Sequence, residues 1–146
     1  MAKRKKRTDK FVLDSSVTLA WYFADEADPY ANAVAGQLPT ARAIVPGIWP
    51  LEVANVILMG ERRKWSTEAQ AGKWLKYLSR LPIEVEEMTT AIAWGEVVRL
   101  AREHNLSAYD AAYLELALRL GLPLATLDDR LRTALRAVGG TLYLKS

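Results

Sequence analysis

Short apolar segments alternate with helical patterns along the whole chain, and this alternation restricts the possible folds more than any other feature. Five segments have the length and aliphatic content of buried strands: FVL at 11–13, AIVP at 43–46, IEVEEM at 83–88, LATL at 124–127 and TLYLK at 141–145. Helical patterns separate most of them. Strands joined through helices predict an α/β fold, with a mainly parallel central sheet flanked by helices on both faces.

Caps and breakers mark the predicted helices. Two serines at 15–16 stand before an apolar run as candidate N-caps, and Pro50 falls near the first-turn position that proline favours. Ser107 opens the run AYDAAYLELALRL, and Gly121 follows it as an exit. A long helix is predicted from about 90 to 103. No repeat or linker divides the chain, whose 146 residues suit a single domain.

The residue types that are missing exclude several kinds of active site. The chain has no cysteine, which excludes disulfides, thiolate nucleophiles and Cys-containing zinc sites. Its single histidine, His104, is not accompanied by a nucleophile-elbow motif, and a helix-end surface position is the simpler interpretation of it. Any hydrolysis by this chain would therefore depend on carboxylates and a metal.

The basic charge is concentrated in the first ten residues. Residues 1–10 hold six Lys/Arg and one Asp, a net +5, whereas the other 136 residues hold 14 Lys/Arg and 16 Asp/Glu, a net −2. We expect residues 1–10 to form a flexible tail and residues 11–146 to form the domain. The tail has two explanations that its sequence leaves open: it contacts phosphates, or it is a solubilising extension.

Targeting signals are not evident. No apolar run reaches the roughly 20 residues that a membrane helix needs, and the basic start is not followed by the apolar core of a signal peptide. We therefore expect a cytoplasmic protein without membrane contact.

Four acids stand at the ends of predicted strands or the starts of predicted helices. Asp14 follows the first strand and Asp128 follows the LATL strand, so both are expected at the carboxyl-end rim, where ligands bind in open α/β sheets. Glu52 and Asp110 lie in first turns of helices. Spacing alone does not show whether these two point toward the same rim.

Each of these acids also has a purely structural explanation. Asp110 fits a capping box with Ser107, Glu52 suits the positive end of a helix dipole, and Asp128 or its neighbour Asp129 could cap the following helix. Asp14 is harder to explain in this way, because it ends a buried strand and is followed by serines that can cap.

A cluster of carboxylates would have a definite chemistry. Carboxylate oxygens without Cys or paired His ligands suit Mg²⁺ or Mn²⁺. Such a metal can activate water for attack on phosphorus, so phosphodiester hydrolysis is the reaction class that this cluster favours.

Four motifs resemble those of the PIN-domain ribonucleases, specifically the VapC-type toxins of bacterial toxin–antitoxin pairs. They are FVLDSSVTLAW at 11–21, PLEVANVI at 50–57, LSAYDAAYLELA at 106–117 and LATLDDRL at 124–131. The resemblance extends from about residue 11 to 144 and leaves out the basic start.

The resemblance implies a metal-binding catalytic quartet, made of Asp14, Glu52, Asp110 and Asp128. It also implies that the fold brings all four acids to one rim, where they hold Mg²⁺ or Mn²⁺. An RNA substrate, a homodimer and neutralisation by a small cognate antitoxin follow from the same resemblance.

The resemblance assigns supporting roles to three further residues. A Thr-x-Asp pattern matches Thr126 to Asp128, so Asp128 is taken as the ligand and Asp129 as an accessory or helix-capping acid. Ser15 and Thr126 look like hydroxyls that orient a carboxylate or a metal-bound water.

Several other residues have both a functional and a structural interpretation. Arg130, Arg132 and Arg136 could hold RNA phosphates or form a solvated basic face. Tyr109 and Tyr113 could stack on bases, although burial of at least one is equally expected. Six aromatic residues are compatible with a groove for a partner helix, but core packing explains most of them: Trp21, Tyr22, Phe23, Trp49, Trp65 and Trp74.

The sequence is compatible with three functions. A metal-dependent ribonuclease toxin is the first. A non-catalytic RNA-binding or antitoxin-binding module of the same fold is the second, and a small-molecule phosphatase, disfavoured by the lack of a DxDx-type motif, is the third.

Overall fold

Four parallel strands form a single sheet in the computed structural model, which describes residues 9–23 and 28–144. The strands are β1 (Asp9–Leu13), β2 (Ala41–Pro46), β3 (Ile83–Glu86) and β4 (Leu124–Ala125). They lie in the order β3-β2-β1-β4, and every pairing is parallel. The predicted α/β fold with a mainly parallel sheet is confirmed.

Helices connect these strands at nearly the positions that the sequence predicts. They are α1 (Ser15–Tyr22), α2 (Pro29–Gln37), α3 (Trp49–Arg62), α4 (Glu68–Leu78), α5 (Thr90–Ile92), α6 (Val98–His104), α7 (Ala108–Leu120) and α8 (Asp129–Ala137). A π-helical turn, Ala93–Val97, joins α5 to α6, so the long helix predicted for 90–103 is continuous but carries a local distortion. Within the described residues, none of the helices is long and apolar enough to cross a membrane.

The predicted fifth strand is wrong. Only Leu142 pairs with the sheet, through a single parallel bridge to Leu124. The reason is that β4 is short. Leu124 donates its N–H to the carbonyl of Thr141 and accepts the N–H of Tyr143. These two bonds use the backbone groups that β4 presents to residues 141–144. The ring of Tyr143 instead stacks on Phe11, with centroids 4.0 Å apart.

Some predicted features fall outside the described residues. These are residues 1–8 of the basic tail, the end of the first predicted helix at 24–25, and the end of the last predicted strand at 145. Residues 9 and 10, assigned to the tail by sequence, belong to β1.

Helices cover both faces of the sheet. Phe11, Val12 and Leu13 are consecutive in β1 and all are fully buried. Because successive strand residues point to opposite faces, neither face of this strand is exposed to solvent. Helix α7 packs on β1, β2 and β4 from one side.

The strand order places a topological switch point beside β1. The chain proceeds from β1 outward to β2 and β3, and β4 then pairs with the other edge of β1. In open α/β sheets the ligand crevice lies at the carboxyl ends of the two strands flanking such a point. Here those ends carry Asp14 and the segment Thr126–Asp128.

Candidate active site

Asp14 directly follows the last residue of β1 and is almost completely buried. The residue is 3% exposed, and its Oδ2 accepts hydrogen bonds from Ser16 Oγ at 2.6 Å and Thr126 Oγ1 at 2.7 Å. Burial raises the pKa of Asp14 from 3.8 to about 6; the two hydroxyls lower it, and the charges of Asp110 and Glu52 add to the rise. A buried carboxylate with these neighbours is costly to ionise and attracts a cation.

The serines after Asp14 do not cap α1, so that prediction is wrong. The N-cap residue is Asp14 itself, and its side chain makes no capping bond. Ser16 instead donates to Asp14 and accepts the backbone N–H of Leu127 at 3.0 Å. It thereby connects the ends of β1 and β4, a role that sequence reasoning missed although the doubled serine after a strand-end acid was visible.

Ser15 faces a different part of the site. Its side chain is near enough to Glu52 and Tyr113 to lower the pKa values of both. Ser16 is the serine whose hydroxyl bonds Asp14, and the role of Ser15 stays a prediction.

Thr126 is the second hydroxyl that organises the rim. It is fully buried, donates to Asp14 Oδ2 and accepts the backbone N–H of Asp128 at 3.0 Å. One hydroxyl thus fixes a carboxylate of β1 and the backbone that follows β4.

Glu52 reaches the rim from the first turn of α3. Its Oε1 accepts a hydrogen bond of 2.5 Å from the hydroxyl of Tyr113. Burial raises the pKa of Glu52, and the charge of Asp110 adds to this rise, while the Tyr113 hydroxyl lowers it. Tyr113 is fully buried in α7 and burial raises its pKa, so it remains a hydrogen-bond donor to Glu52.

Asp110 lies in the first turn of α7, where only half of the predicted capping box forms. Ser107 caps the helix by accepting the N–H of Asp110 at 3.0 Å, but among the described residues the carboxylate of Asp110 does not return a bond to the Ser107 N–H. Burial raises the pKa of Asp110, and the charge of Asp128 raises it further, whereas Arg130 lowers it. Its carboxylate therefore belongs to the acidic cluster.

The sequence assigned the cap of α8 to Asp129, but the structure gives this role to Asp128. Asp128 is the N-cap of α8 and its Oδ1 accepts the N–H of Leu131 at 2.8 Å, so the prediction that Asp129 caps this helix is wrong. The reason is backbone conformation: Asp128 is extended (φ −81°, ψ 121°), as an N-cap must be, whereas Asp129 is already helical. Asp129 is exposed.

The four predicted acids act on one another electrostatically. Asp14 is affected by Glu52 and Asp110, and Asp110 by Asp128. None of the salt bridges formed by the described residues involves these acids. The four carboxylates thus concentrate negative charge at the switch point without a protein cation paired to them.

The side chains do not, however, form a ready-made metal site. Within residues 9–23 and 28–144, no three acidic or histidine side chains stand close enough to ligate one ion. Three of the acids have an oxygen engaged in a hydrogen bond: Asp14 with Ser16 and Thr126, Glu52 with Tyr113, and Asp128 with the first turn of α8. The donor set fits a hard divalent cation in kind and charge, since it consists of carboxylates only.

The three arginines of α8 differ in their contacts. Arg132 donates through Nε to the carbonyl of Thr126 at 2.8 Å, and its guanidinium lies 4.9 Å from the ring centre of Tyr30. Arg130 and Arg136 are exposed.

The tyrosines and tryptophans also divide between core and surface. Tyr113 is buried and Tyr109 is 59% exposed, which confirms that at least one of these tyrosines packs inside. Trp49 is buried and donates to Thr18, and Tyr22 packs against Trp74. An apolar groove of about 530 Å³ does lie beside Glu52, but aliphatic residues form most of its wall, among them Leu19, Leu51 and Leu58.

Comparison with known proteins agrees with this geometry. A family model described as PIN domain matches residues 11–135. The chain belongs to the PIN-domain family. The match covers the region that contains all four acids of this PIN domain.

Relatives of this PIN domain include a curated protein and solved structures. "Ribonuclease VapC3" of Pyrobaculum aerophilum is 30% identical over 122 residues, which are 84% of this chain and 92% of that protein. PAE2754 from Pyrobaculum aerophilum has a TM-score of 0.66 at 24% identity, over 89% of this chain and 87% of that one. A toxin–antitoxin complex from Klebsiella pneumoniae has a TM-score of 0.64 at 17% identity, over 91% and 96%. The VapC-type resemblance noted in the sequence is confirmed, and the structures agree in fold.

Proposed function

We propose that this PIN domain is a metal-dependent endoribonuclease that hydrolyses RNA phosphodiester bonds and is neutralised by a cognate antitoxin. The observation that carries the proposal is the placement of four acids around the switch point, where burial and neighbouring carboxylates raise the pKa values of Asp14, Glu52 and Asp110. The naming of the 30% identical relative as a ribonuclease supports the same activity.

Asp14, Glu52, Asp110 and Asp128 would hold the metal, Mg²⁺ with Mn²⁺ as the alternative. Such an ion supplies an activated water and charge stabilisation at phosphorus. The chain's own residues prepare the donors. Ser16 and Thr126 fix one oxygen of Asp14, and Tyr113 fixes one oxygen of Glu52. These contacts lower the pKa values of both acids and favour the ionised forms that bind cations.

The apolar groove beside Glu52 supports the antitoxin part of the proposal. It lies between α1 and α3, and Leu51 and Leu58 remain 66% and 44% exposed. An antitoxin segment with apolar residues for the groove and a basic residue for the acids would cover both. The solved toxin–antitoxin complex of similar fold is consistent with this type of partner. We further propose a homodimer, and the cytoplasm as the compartment in which RNA and antitoxin are met.

The deciding experiment is RNA cleavage by the purified protein. We expect cleavage in Mg²⁺ or Mn²⁺, none in excess EDTA, and a loss of at least about 100-fold in Asp14→Asn and Asp110→Asn, the scale expected when a catalytic electrostatic group is removed. Glu84→Gln, an exposed acid of the edge strand β3, is the matched control and should cleave like the wild type.

Two outcomes would contradict this function. Cleavage that survives chelation or both substitutions would exclude the carboxylate mechanism. RNA binding that is equal in wild type and variants, with no product in any divalent metal, would identify the non-catalytic binding module of the same fold.

A further inference from the structure

One arginine of α8 is placed to contact something outside the protein. Arg132 is committed to Thr126 and Tyr30, and Arg136 lies in the last turn of the helix. Arg130 lies in the first turn, is exposed, and takes part in none of the salt bridges formed by the described residues. It is also near enough to Asp110 for its charge to act on that carboxylate. Arg130 is therefore a cation at the edge of the acidic cluster.

A cavity with several polar side chains in its wall opens beside Arg130, between the end of α6 and the side of α8. It has a volume of about 330 Å³ and is lined by His104, Asn105, Asp129, Arg130 and Thr133, with two alanines of α8. We call it the α6–α8 cavity. The Nε2 atom of His104 is buried and lacks a hydrogen-bond partner among the described residues. A guanidinium, an amide, a hydroxyl, an imidazole and one carboxylate thus line one space at the border of the site.

We propose that the α6–α8 cavity binds a backbone phosphate of the RNA next to the one that is cleaved. This inference rests on the proposed ribonuclease function and assigns a substrate contact to a second place in the fold. A guanidinium with hydroxyl and amide donors is the donor set that proteins use for phosphate. Arg130 lines the cavity and its charge also reaches Asp110, so a strand with one phosphate at the acids can continue toward the cavity.

Asp129 sets the strength of this site. It lines the same cavity and its negative charge opposes a phosphate, so it limits the affinity that Arg130 provides. A moderate affinity for the flanking phosphate suits a nuclease that must release its products. Because phosphate contacts position a strand without identifying bases, the contribution of Arg130 will be the same for different RNA sequences.

The first test measures binding of a single-stranded RNA oligonucleotide in EDTA, where cleavage is prevented, over a range of KCl concentrations. For Arg130→Gln we expect about tenfold weaker binding and a decrease of about 0.7 in the slope of log K against log salt, which corresponds to one lost phosphate contact on a single strand. Arg136→Gln on the same helix is the matched control and should keep the wild-type slope. Asp129→Asn should bind more tightly than the wild type.

The second test locates the phosphate. Methylphosphonates that replace single phosphates of the oligonucleotide should weaken wild-type binding at one position beside the cleavage site, and Arg130→Gln should show no further loss at that position alone. In Mg²⁺, Arg130→Gln should raise KM by a larger factor than it lowers kcat, because the lost charge also acts on Asp110.

These readouts separate the inference from the function on which it rests. An unchanged slope, or a variant that loses affinity equally at every methylphosphonate, overturns the phosphate site. A fall in kcat with KM and slope unchanged also overturns it, because Arg130 would then act only on Asp110. Absence of wild-type cleavage, together with a reduced slope in Arg130→Gln, would sink the ribonuclease and leave the phosphate contact standing.

Discussion

Asp14 lies in the proposed active site, and its ionisation lowers the stability of the folded chain. A folded-state pKa of about 6, above the ordinary 3.8, means that ionisation is less favourable in the folded chain than in the unfolded one. Stability from this group is therefore complete below about pH 4 and is lost as pH rises through about 6. The loss amounts to roughly 3 kcal/mol in the free energy of unfolding.

Asp14→Asn should remove this pH dependence. In metal-free buffer we expect the variant to match the wild type near pH 4 and to exceed it in stability above about pH 6, while cleaving RNA poorly. Urea unfolding between these pH values measures the difference. If the wild type and Asp14→Asn lost stability in parallel as pH rises, Asp14 would not be the source of the cost.

Thr126 offers a separate test of a hydrogen bond that joins two strand ends. Thr126→Val keeps the shape but removes a donor to Asp14 and the acceptor of the Asp128 N–H. We expect it to lower the free energy of unfolding by about 1–3 kcal/mol, the cost of leaving buried polar groups unpaired. It should also raise the pKa of Asp14, seen as an upward shift of the acidic limb of the pH–activity profile.

Thr126→Ser is the matched variant, because it keeps the hydroxyl and loses only a methyl group. Recovery of the pH profile by Thr126→Ser would assign the effect to the hydroxyl. Equal behaviour of the two variants would assign it to packing and contradict the interpretation.

At the level of elements, α8 begins on a residue with two roles. Asp128 caps the helix through Oδ1 and, in the proposed mechanism, also holds the metal. Asparagine caps helices as well as aspartate does, whereas alanine does not. The two roles can therefore be separated by substitution.

We expect Asp128→Asn to retain wild-type stability and to lose RNA cleavage. Asp128→Ala should lose cleavage and, in addition, about 1 kcal/mol of stability, because the Leu131 N–H loses its cap. Thermal unfolding and cleavage assays of both variants give the answer. An active Asp128→Asn would show that capping is the whole role of this residue.

Sequence patterns predicted the elements better than their ends. Apolar runs identified β1 to β4, but TLYLK at 141–145 has the same pattern and forms only one bridge. The difference is not local, since it depends on how much bonding capacity β4 leaves free. Capping shows the same limit: serine and aspartate are both good caps, and backbone conformation decided for Asp14 and Asp128.

For the whole molecule, the concentrated negative charge links metal binding to folding. An ion that binds only the folded state stabilises it by mass action, by about 1.4 kcal/mol at ten times its Kd. Mg²⁺ or Mn²⁺ should therefore raise the melting temperature at neutral pH in the absence of RNA. This readout is independent of cleavage.

The double variant Asp14→Asn/Asp110→Asn should lose this metal-dependent stabilisation, and Glu84→Gln should keep it. Differential scanning fluorimetry with and without EDTA measures both. A double variant stabilised by metal as strongly as the wild type would place the ion elsewhere and contradict the assigned ligands.

The sequence by itself determined the α/β class, the four strands of the sheet and the two acids at strand ends, because these depend on periodicities within a few residues. The motifs then identified the family that the comparisons confirm. The charge count likewise separated the basic start from a slightly acidic domain.

Only the tertiary structure decided which side chains meet. The bond from Thr126 to Asp14 spans 112 residues of chain and that from Tyr113 to Glu52 spans 61. No local pattern specifies such contacts, since they depend on β1 lying between β2 and β4 and on α7 crossing the sheet. The packed chain also left Arg130 exposed while Arg132 contacts Thr126 and Tyr30. It made Asp128, rather than Asp129, the cap of α8. The direction and burial of a side chain depend on how the chain packs.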